Sequence, residues 1–326
     1  MQTTDQTATA VALPNIAFIK YWGNCEAEAR IPANGSISMN LGGLETRTTV
    51  TFDMSLKADE LILNNDPAYG VPLTRVSNFL NGVRKLAGIQ NRARVVSENN
   101  FPMGAGIASS ASAFAALALA ASRAAGLDLD EAALSRLART GSGSACRSIP
   151  GGFTEWQVDG CDPDSGAISI ADPEYWGLRD CIAIISREHK DIGSTEGHAL
   201  AYTSPIKVAR VEDVHRRLDL CRQAILERDF DAFAGVTELD TNLMHAVMLT
   251  STPSLIYWQS PTLTVMQAVQ EWRKQGIAAC YTIDAGPNVH VITTQEDKNL
   301  VESRLRQLPG VIDVITSYPG GPARLV

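Results

Sequence analysis

The sequence predicts an α+β protein built as two lobes, and three observations lead to that prediction. Its 326 residues, 45% of them hydrophobic, are enough for two domains or two closely joined lobes. Early segments show the alternation of apolar and polar residues that is typical of antiparallel strands. After residue 186 the composition shifts to long helical segments, so we place the lobes at residues 1–180 and 181–326.

Net charge and hydropathy narrow the class of protein. The formal charge of −8 argues against a non-specific nucleic-acid binder, and a phosphate site would need local cations. No apolar run reaches the ~18 residues that span a bilayer. Met1–Ala10 lacks the basic and apolar regions of a signal peptide, so we expect a cytoplasmic protein without a membrane partner.

The six cysteines are scattered and include no C-x-x-C pair. We therefore expect reduced thiols in a cytosolic protein rather than a disulfide or zinc framework. The five histidines show no paired metal-ligand spacing, and we assign none of them as a metal ligand.

Residues 11–23, V-A-L-P-N-I-A-F-I-K-Y-W-G, predict an apolar strand with a lysine near its end. Lysine is seldom buried unless it is paired, so Lys20 either reaches solvent from the strand edge or belongs to a site. Two aromatic residues and a glycine follow it directly, which makes Lys20 a candidate functional residue.

The next segments predict a small antiparallel sheet and a helix. Alternation over Ser36–Leu41 and Arg47–Met54 predicts two strands that pair with each other. Apolar residues recur at helical spacing over residues 74–88, and Gly88 ends that helix. Arg92–Ser97 predicts a further strand.

Residues 102–113 read P-M-G-A-G-I-A-S-S-A-S-A and precede an alanine-rich helix that ends near Ala125. A Gly/Ser loop at a helix N-terminus directs several free N–H groups and the positive end of the helix dipole at one point, which suits a phosphate. The stretch matches neither of the two common nucleotide motifs. A capped, buried helix explains this stretch alone equally well.

A second glycine- and serine-rich cluster, Gly141–Ser144, follows the helix predicted over Leu129–Arg139. It leads to Arg147, whose guanidinium suits bidentate binding of a carboxylate or phosphate. A structural ion pair explains such an arginine equally well.

The second half predicts an apolar strand over Arg179–Ser186, a polar loop over Lys190–Gly197 and then mainly helices. The helices are predicted over Val208–Glu227, Asp231–Thr250, Thr262–Gln275 and Lys298–Gln307, and the strands over Gly276–Ile283, Val289–Thr293 and Val311–Ser317.

Asp284 lies at a predicted strand end, in a loop that Gly286 makes permissive. A catalytic carboxylate often occupies such a position, but so does the aspartate of a simple Asx turn. Taken without context, the turn is the more economical interpretation.

Four blocks in order along the chain carry a resemblance. They are N-I-A-F-I-K-Y-W-G (15–23), N-N-F-P-M-G-A-G-I-A-S-S-A-S-A-F-A-A-L-A (99–118), G-S-G-S-A-C-R-S (141–148) and D-A-G-P-N (284–288). M-H-A-V (244–247) adds to them. Together they resemble the GHMP kinase superfamily and, within it, the mevalonate diphosphate decarboxylases.

The resemblance implies a two-lobed fold with mixed and antiparallel sheets, packed helices and an active-site cleft between the lobes. ATP with Mg²⁺ would phosphorylate the 3-hydroxyl of a phosphorylated mevalonate, and loss of phosphate and CO₂ would follow. A homodimer is expected by the same analogy.

The resemblance also assigns roles to individual residues, without naming a metal ligand. Asp284 and Lys20 match the catalytic aspartate and lysine. The substrate-binding set is Tyr21, Asn24, Ser142, Arg147, Ser194 and Thr195. The ATP-binding set is Gly104, Gly106, Ser109, Ser110 and Ser112.

Two positions depart from the family pattern. Asn24 stands where the diphosphate-specific enzymes usually have lysine, and Ser194-Thr195 stands where they often have Ser-Arg. Each lost hydrogen bond to a charged group weakens phosphate binding by about 1.5–3 kcal/mol. The departures favour mevalonate 5-phosphate over the 5-diphosphate, although Lys190 or Arg187 could replace the lost charge.

Three alternative functions remain open from the sequence. The substrate could be mevalonate 5-diphosphate, or the enzyme could stop after phosphorylating mevalonate at the 3-position. A non-catalytic nucleotide-binding regulator is the third, but it would not need Asp284, Lys20 and Arg147 together.

Overall fold

The computed structural model describes residues 6–26, 30–101, 109–158, 160–188 and 194–326, with only the backbone at residues 194 and 195. In these ranges the strands are β1 (Gln6–Ala12), β2 (Asn15–Ile19), β3 (Asn24–Glu26), β4 (Ile31–Pro32), β5 (Ser36–Gly42), β6 (Thr46–Asp53), β7 (Glu60–Leu63), β8 (Asp66–Pro67), β9 (Arg92–Asn99), β10 (Phe153–Trp156), β11 (Ala167–Ala171), β12 (Leu178–Ile184), β13 (Ala279–Thr282), β14 (Val289–Thr294), β15 (Asp313–Pro319) and β16 (Arg324–Leu325).

The α-helices in the same ranges are α1 (Val71–Ala87), α2 (Ser109–Ala124), α3 (Glu131–Gly141), α4 (Ser194–Leu200), α5 (Lys207–Glu212), α6 (Val214–Glu227), α7 (Phe230–Leu249), α8 (Ser260–Lys274) and α9 (Lys298–Leu305). Gly143–Ser148 and Ala201–Thr203 form short 3-10 helices.

Local signals in the sequence account for several helix ends. Gly88 closes α1 in the left-handed conformation, with its N–H bonded to the carbonyl of Arg84. The Asp130 side chain caps α3 by accepting a hydrogen bond from the backbone of Ala133. The single helix predicted over Val208–Glu227 is divided at Asp213, which ends α5 and begins α6.

Two main sheets organise the described part of the chain. The first has the strand order β16-β1-β6-β9-β7-β8, and the second has the order β11-β10-β5-β15-β12-β14-β13, with β2 also paired to β5. Strands β7 and β9 run parallel, whereas β5 pairs antiparallel with its neighbours. The fold is therefore α+β with mixed and antiparallel sheets, as predicted.

The predicted pairing of the two early strands is wrong. Strand β6 pairs with β1 and β9 in the first sheet, whereas β5 lies in the second sheet between β10 and β15. Every residue of β5 is buried, while β6 alternates between buried and more exposed positions. The short connection carries the chain from one sheet to the other, because β5 has to be covered on both faces.

The first sheet is covered by α2, which begins where the Gly/Ser stretch ends. Alanines on α2, among them Ala115, Ala118 and Ala121, are buried against apolar residues of the sheet. Their small side chains let the helix backbone lie close to the strands, and this fixes the position of the N-terminus of α2.

The second sheet is covered on both faces. Val265 and Val269 of α8 pack on the face that contains Ala183. Leu218 of α6 and Phe233 of α7 belong to a core that also contains Ile182 and residues of β2 and β5. Segments from both halves of the sequence thus share one core. No helix in the described ranges is long and apolar enough to cross a membrane.

Candidate active site

An ion pair between Lys20 and Asp284 marks the candidate site. Lys20 follows β2 directly, and Asp284 lies two residues after β13. The distance from Lys20 Nζ to Asp284 Oδ1 is 2.6 Å, although 264 residues separate them. The Thr282 hydroxyl donates to the carbonyl of Ala17, which holds the two strand ends together.

The two partners differ in exposure. The Lys20 side chain is 2% exposed, whereas that of Asp284 is 31% exposed. The lysine is therefore shut inside the protein, and the carboxylate remains accessible to a reactant. The ion pair with Lys20 accounts for the presence of Asp284, so the interpretation of Asp284 as the aspartate of an Asx turn is not needed.

The ionisation of the pair follows from its surroundings. Burial would raise the pKa of Asp284, but the charges of Lys20 and Arg147 outweigh this effect, so the pKa is lowered below its ordinary value. Burial lowers the pKa of the Lys20 ammonium, and Asp284 and Asp240 oppose that shift. Asp284 is consequently an anion at neutral pH.

The backbone of Lys20 is held from two sides. Its N–H donates to Asp240 Oδ2 at 2.6 Å, and its carbonyl accepts hydrogen bonds from Arg210 at 2.8 Å and Asn34 at 2.9 Å. Asp240 also bonds Arg217 Nε at 2.8 Å. This buried network, drawn from three helices and a loop, gives Lys20 a single orientation.

The loop that carries Asp284 is shaped by its glycine and asparagine. Gly286 has φ 54, and a Cβ there would lie 2.9 Å from the Tyr257 carbonyl oxygen, so glycine is required. The Asn288 side chain accepts hydrogen bonds from the backbone N–H groups of Ile185 and Ser186. The loop is thus joined to the end of β12.

Arg147 is buried in a neutral hydrogen-bonding environment. It donates to Ser38 Oγ at 3.0 Å, Ser36 Oγ at 2.6 Å and Asn15 Oδ1 at 3.1 Å. A guanidinium has more N–H donors than these bonds use, and none of the partners named here is charged. Within the described ranges Arg147 therefore forms no ion pair, although the sequence left that interpretation open. Its guanidinium suits an anionic ligand.

Asn24 lies beside an aromatic group. The Tyr21 hydroxyl donates to Asn24 Oδ1, and Tyr21 also stacks on His198 with ring centroids 4.2 Å apart. A Cβ on Gly143 would lie 2.7 Å from the Tyr21 ring, so the second Gly/Ser cluster approaches this tyrosine closely. The side of the site that carries Asn24 is thus a compact polar and aromatic wall.

His198 contributes a neutral ring to that wall. Its Nδ1 accepts a hydrogen bond from the N–H of Gly23 at 2.9 Å. Burial, with help from nearby positive charges including Arg30, lowers the pKa of His198 to about 3. The sequence offered no signal for this role, because the residue matches no ligand or catalytic spacing.

The Gly/Ser elements meet at their serines. Ser110 Oγ, in the first turn of α2, lies 3.2 Å from Ser142 Oγ. Ser112 is fully buried and bonds Thr46 Oγ1 at 2.6 Å and the carbonyl of Ser109. Ser110 and Ser142 therefore lie where the first turn of α2 meets the second glycine- and serine-rich cluster, while Ser112 ties α2 to the first sheet and bonds the backbone of Ser109. Gly104 and Gly106 lie outside the described residues.

Of the two cations that could replace the lost charge at Asn24, the structure describes only Arg187. Arg187 is paired with Asp313 at 2.8 Å on the exposed surface. Lys190 lies outside the described residues, and for Ser194 and Thr195 only the backbone of α4 is described.

The expectation that all six cysteines are reduced is wrong. Cys25 and Cys161 form a disulfide with Cα atoms 6.1 Å apart, and 136 residues separate them. The other four are free and buried. Spacing could not reveal this pair, since the fold alone brings the Cys161 loop to β3.

Sequence reasoning missed three residues that orient Arg147: Asn15, Ser36 and Ser38. A signal for two of them was present. Ser36 and Ser38 alternate along one strand, so their side chains share a face, and polar residues on a fully buried strand need partners.

A small apolar cavity lies beside α2 in the first lobe. Its lining includes Val76, Val95, Phe114 and Leu117, with Ser97 at its polar part. Phe114 and Leu117 belong to the helix that begins with Ser109 and Ser110.

Both halves of the chain match described families. Residues 12–167 match the diphosphomevalonate decarboxylase-like N-terminal domain, and residues 181–320 match the mevalonate 5-diphosphate decarboxylase C-terminal domain.

Curated relatives have similar lengths. A diphosphomevalonate decarboxylase of Candida albicans is 38% identical over 319 residues, covering 92% of this chain and 87% of the relative. A phosphomevalonate decarboxylase of Haloferax volcanii is 33% identical over 321 residues, covering 98% and 97% respectively.

Solved structures share the whole fold. Mevalonate diphosphate decarboxylase from Staphylococcus aureus superposes with a TM-score of 0.93 at 36% identity, with 98% of each chain covered. A structure described as MDDEF in complex with MVAPP, AMPPCP and magnesium has a TM-score of 0.92, also at 36% identity and with 98% of each chain covered.

Proposed function

The chain belongs to the diphosphomevalonate decarboxylase family, and from that premise we propose that it decarboxylates a phosphorylated mevalonate at the expense of ATP. The observation that carries the proposal is the Lys20–Asp284 pair at 2.6 Å, in which the carboxylate is partly exposed. Arg147, which forms no ion pair within the described ranges, lies near enough for its charge to act on Asp284. This arrangement provides a base, a cation that keeps the base charged, and an anion-binding group.

Asp284 acts on the tertiary 3-hydroxyl. As an anion at neutral pH, it accepts the hydroxyl proton while the oxygen bonds the γ-phosphorus of ATP and the bond to ADP breaks. The C3–O bond of the new phosphate ester then breaks, and phosphate departs with the bonding pair. The departing phosphate takes up the proton that Asp284 accepted, so the Asp284 carboxylate is again an anion and stabilises the positive charge that develops at C3.

Arg147 orients the carboxylate that becomes CO₂. The bond between C1 and C2 breaks as that carboxylate leaves, and its electron pair forms the double bond between C2 and C3. A bidentate hold by Arg147, itself fixed by Ser36 and Asn15, places the C1–C2 bond for this step. Isopentenyl phosphate, ADP, phosphate and CO₂ are the products when the acceptor is the 5-phosphate.

The residues present fit ATP and Mg²⁺. The N-terminus of α2 and the Ser110 hydroxyl suit a polyphosphate, and Ser142 Oγ, on the substrate side, lies 3.2 Å from Ser110 Oγ. The neighbouring apolar cavity, lined by Val76 and Phe114, suits an adenine ring. Among the described residues no group of three or more His, Cys, Asp or Glu side chains could hold a metal ion. Mg²⁺ in phosphoryl-transfer sites is held by one or two carboxylates plus the nucleotide phosphates, and it would neutralise phosphate charge here.

The favoured acceptor is mevalonate 5-phosphate. Asn24 provides no cation, its amide oxygen is engaged by Tyr21, and Arg187 is committed to Asp313. The name of the Haloferax relative supports a monophosphate acceptor, whereas that of the Candida relative supports the diphosphate.

The test is to measure kcat/KM for mevalonate 5-phosphate and for the 5-diphosphate, in the native enzyme and in Asn24→Lys. We expect the native enzyme to favour the monophosphate and the variant to shift the ratio toward the diphosphate by about tenfold or more, since one charged hydrogen bond is restored. A native preference for the diphosphate would overturn the choice of acceptor.

Product analysis separates decarboxylation from its alternative. Substrate labelled at C1 should release labelled CO₂ together with ADP. Accumulation of a stable mevalonate 3-phosphate product would instead establish a 3-kinase. A purified protein that binds ATP but converts no mevalonate phosphate would support the regulator. A homodimer remains a prediction by family analogy, and a cytoplasmic location remains a prediction from the N-terminal sequence.

A further inference from the structure

Two arginines, Arg30 and Arg75, donate hydrogen bonds to consecutive backbone carbonyl groups at the edge of the site. Arg30 Nε donates to the carbonyl of Thr140 at 3.2 Å, and Arg75 Nη2 donates to the carbonyl of Gly141 at 3.2 Å. These carbonyls end α3 and directly precede Ser142, whose hydroxyl lies 3.2 Å from that of Ser110. The two guanidinium groups therefore lie beside the loop assigned to the substrate.

Neither arginine has an acidic partner among the ion pairs of the described residues. Burial lowers the pKa of Arg75, and the positive charge of Arg30 lowers it further. The charge of Arg30 also acts on Tyr21 and His198, where burial is the larger influence. Two like charges placed together without a carboxylate are unfavourable until an anion joins them.

A purely structural role would be to stabilise the C-terminus of α3, where cations interact favourably with the last carbonyls. One arginine would meet that need. A second on the next carbonyl adds repulsion, and each guanidinium keeps N–H groups that its hydrogen bond to the carbonyl does not use. The arrangement thus has capacity for a ligand.

We propose that Arg30, with Arg75 beside it, receives the 5-phosphoryl group of the acceptor. This inference rests on the proposed function. Arg30 supplies a cation that the family pattern would place at position 24, and it does so from the opposite arm of the same hairpin.

The hairpin explains how one position can replace the other. Strands β3 and β4 pair with Asn24 opposite Pro32 and Glu26 opposite Ile31, and Arg30 directly precedes Ile31. Asn24 is bonded to Tyr21, on which the charge of Arg30 acts. The Arg30 guanidinium, with Arg75 beside it, suits bidentate binding of one terminal phosphoryl group.

The test compares Arg30→Gln, Arg30→Lys and the matched control Arg94→Gln, an exposed arginine paired with Glu60 on the first sheet. KM is measured for the phosphorylated acceptor and for ATP, and kcat/KM for unphosphorylated mevalonate. We expect Arg30→Gln to raise KM for the phosphorylated acceptor about tenfold or more, with lysine restoring part of the loss. KM for ATP, turnover of mevalonate and the control should stay within about twofold of native values.

The outcomes distinguish this inference from the proposed function. If native enzyme converts no phosphorylated mevalonate, the proposed function fails before any variant is compared. If native enzyme is active and Arg30→Gln leaves KM for the acceptor unchanged, the inference is overturned. An effect confined to KM for ATP would also overturn it, because the arginine would then serve the nucleotide. Equal losses on mevalonate and its phosphate would mean a structural role.

Discussion

At the scale of single residues, the chemistry of the site depends on which side chain of a neighbouring pair is buried and on the charge that it carries. Lys20 is almost completely enclosed, and its partner Asp284 is about one-third accessible. The enclosed cation lowers the pKa of the accessible carboxylate, so the base is ionised without exposing the lysine to solvent. Arg147, in contrast, donates hydrogen bonds to neutral hydroxyl and amide oxygens, so its positive charge remains available to bind an anionic ligand.

Replacing Asp284 by asparagine removes the proposed base and keeps the shape of the site. We expect Asp284→Asn to lower kcat by about 10²–10⁴-fold, as for loss of a general base, while the nucleotide dissociation constant stays near the native value. Steady-state kinetics and nucleotide titration measure both quantities. The exposed Asp219→Asn serves as the control, and near-normal turnover in Asp284→Asn would remove Asp284 from the catalytic role.

The buried, neutral His245 makes the free energy of unfolding depend on pH. Burial, with the charge of Lys20, lowers the pKa of His245 from 6.5 to about 3. Between these values the unfolded chain binds a proton that the folded protein does not, so stability is lost as the pH falls below 6.5. One such group contributes a slope of about 1.4 kcal/mol per pH unit.

Denaturant unfolding from pH 7 to pH 4.5 measures this slope. We expect it to become shallower in His245→Gln and to keep its native value in His215→Gln, because His215 is exposed. An unchanged slope in His245→Gln would contradict the assignment.

At the scale of elements, the helices that cover the second sheet also hold the site. Asp240 of α7 accepts hydrogen bonds from the backbone of Lys20 and from Arg217 of α6, and it pairs with Arg210 of α5 at 3.4 Å. The Asp240 and Arg217 side chains are fully buried. The aspartate thus neutralises two enclosed arginines and positions the end of β2.

Asp240→Asn should therefore be strongly destabilising. Removing one charge leaves the buried Arg210 guanidinium without its carboxylate partner and leaves Arg217 with Asp213 alone, at a cost of about 3–5 kcal/mol. Chemical denaturation measures the change, and Asp219→Asn, at an exposed ion pair with Arg222, should cost about 0.5 kcal/mol or less. A loss no larger than that of the control would show that the network does not stabilise the fold.

Prediction from sequence was most successful at the level of helices. The apolar period and Gly88 placed α1 well, and the helix predicted over Leu129–Arg139 lies within two residues of α3, because such signals act within a few residues. The partners of β5 were missed, since two adjacent strands carry no local mark of the sheet to which each belongs. Complete burial of β5 is a property of its neighbours in space.

At the scale of the whole molecule, one sheet passes through both predicted lobes. Strand β5 from the first half pairs with β15 from the second, and β16 returns to pair with β1. A single apolar cluster includes Ile16, Ile37, Ile182 and Ile292. The ranges 1–180 and 181–326 are joined by hydrogen bonds and by a common core.

The shared sheet predicts one cooperative unfolding transition for the whole chain. Scanning calorimetry should show a single peak whose calorimetric enthalpy equals its van't Hoff enthalpy. Two resolved peaks would mean that the lobes unfold independently despite the shared strands.

The sequence by itself determined most helices and strands and the family, and it predicted Lys20, Arg147 and Asp284 as residues of the candidate site. Only the tertiary structure decided that Lys20 meets Asp284 at 2.6 Å, that serines of β5 hold Arg147, and that Arg30 and Arg75 lie together beside Ser142. The physical reason is the range of the forces involved. Periodicity, capping and turn preferences act between residues close in sequence, whereas pairing of distant segments depends on which apolar faces are buried together.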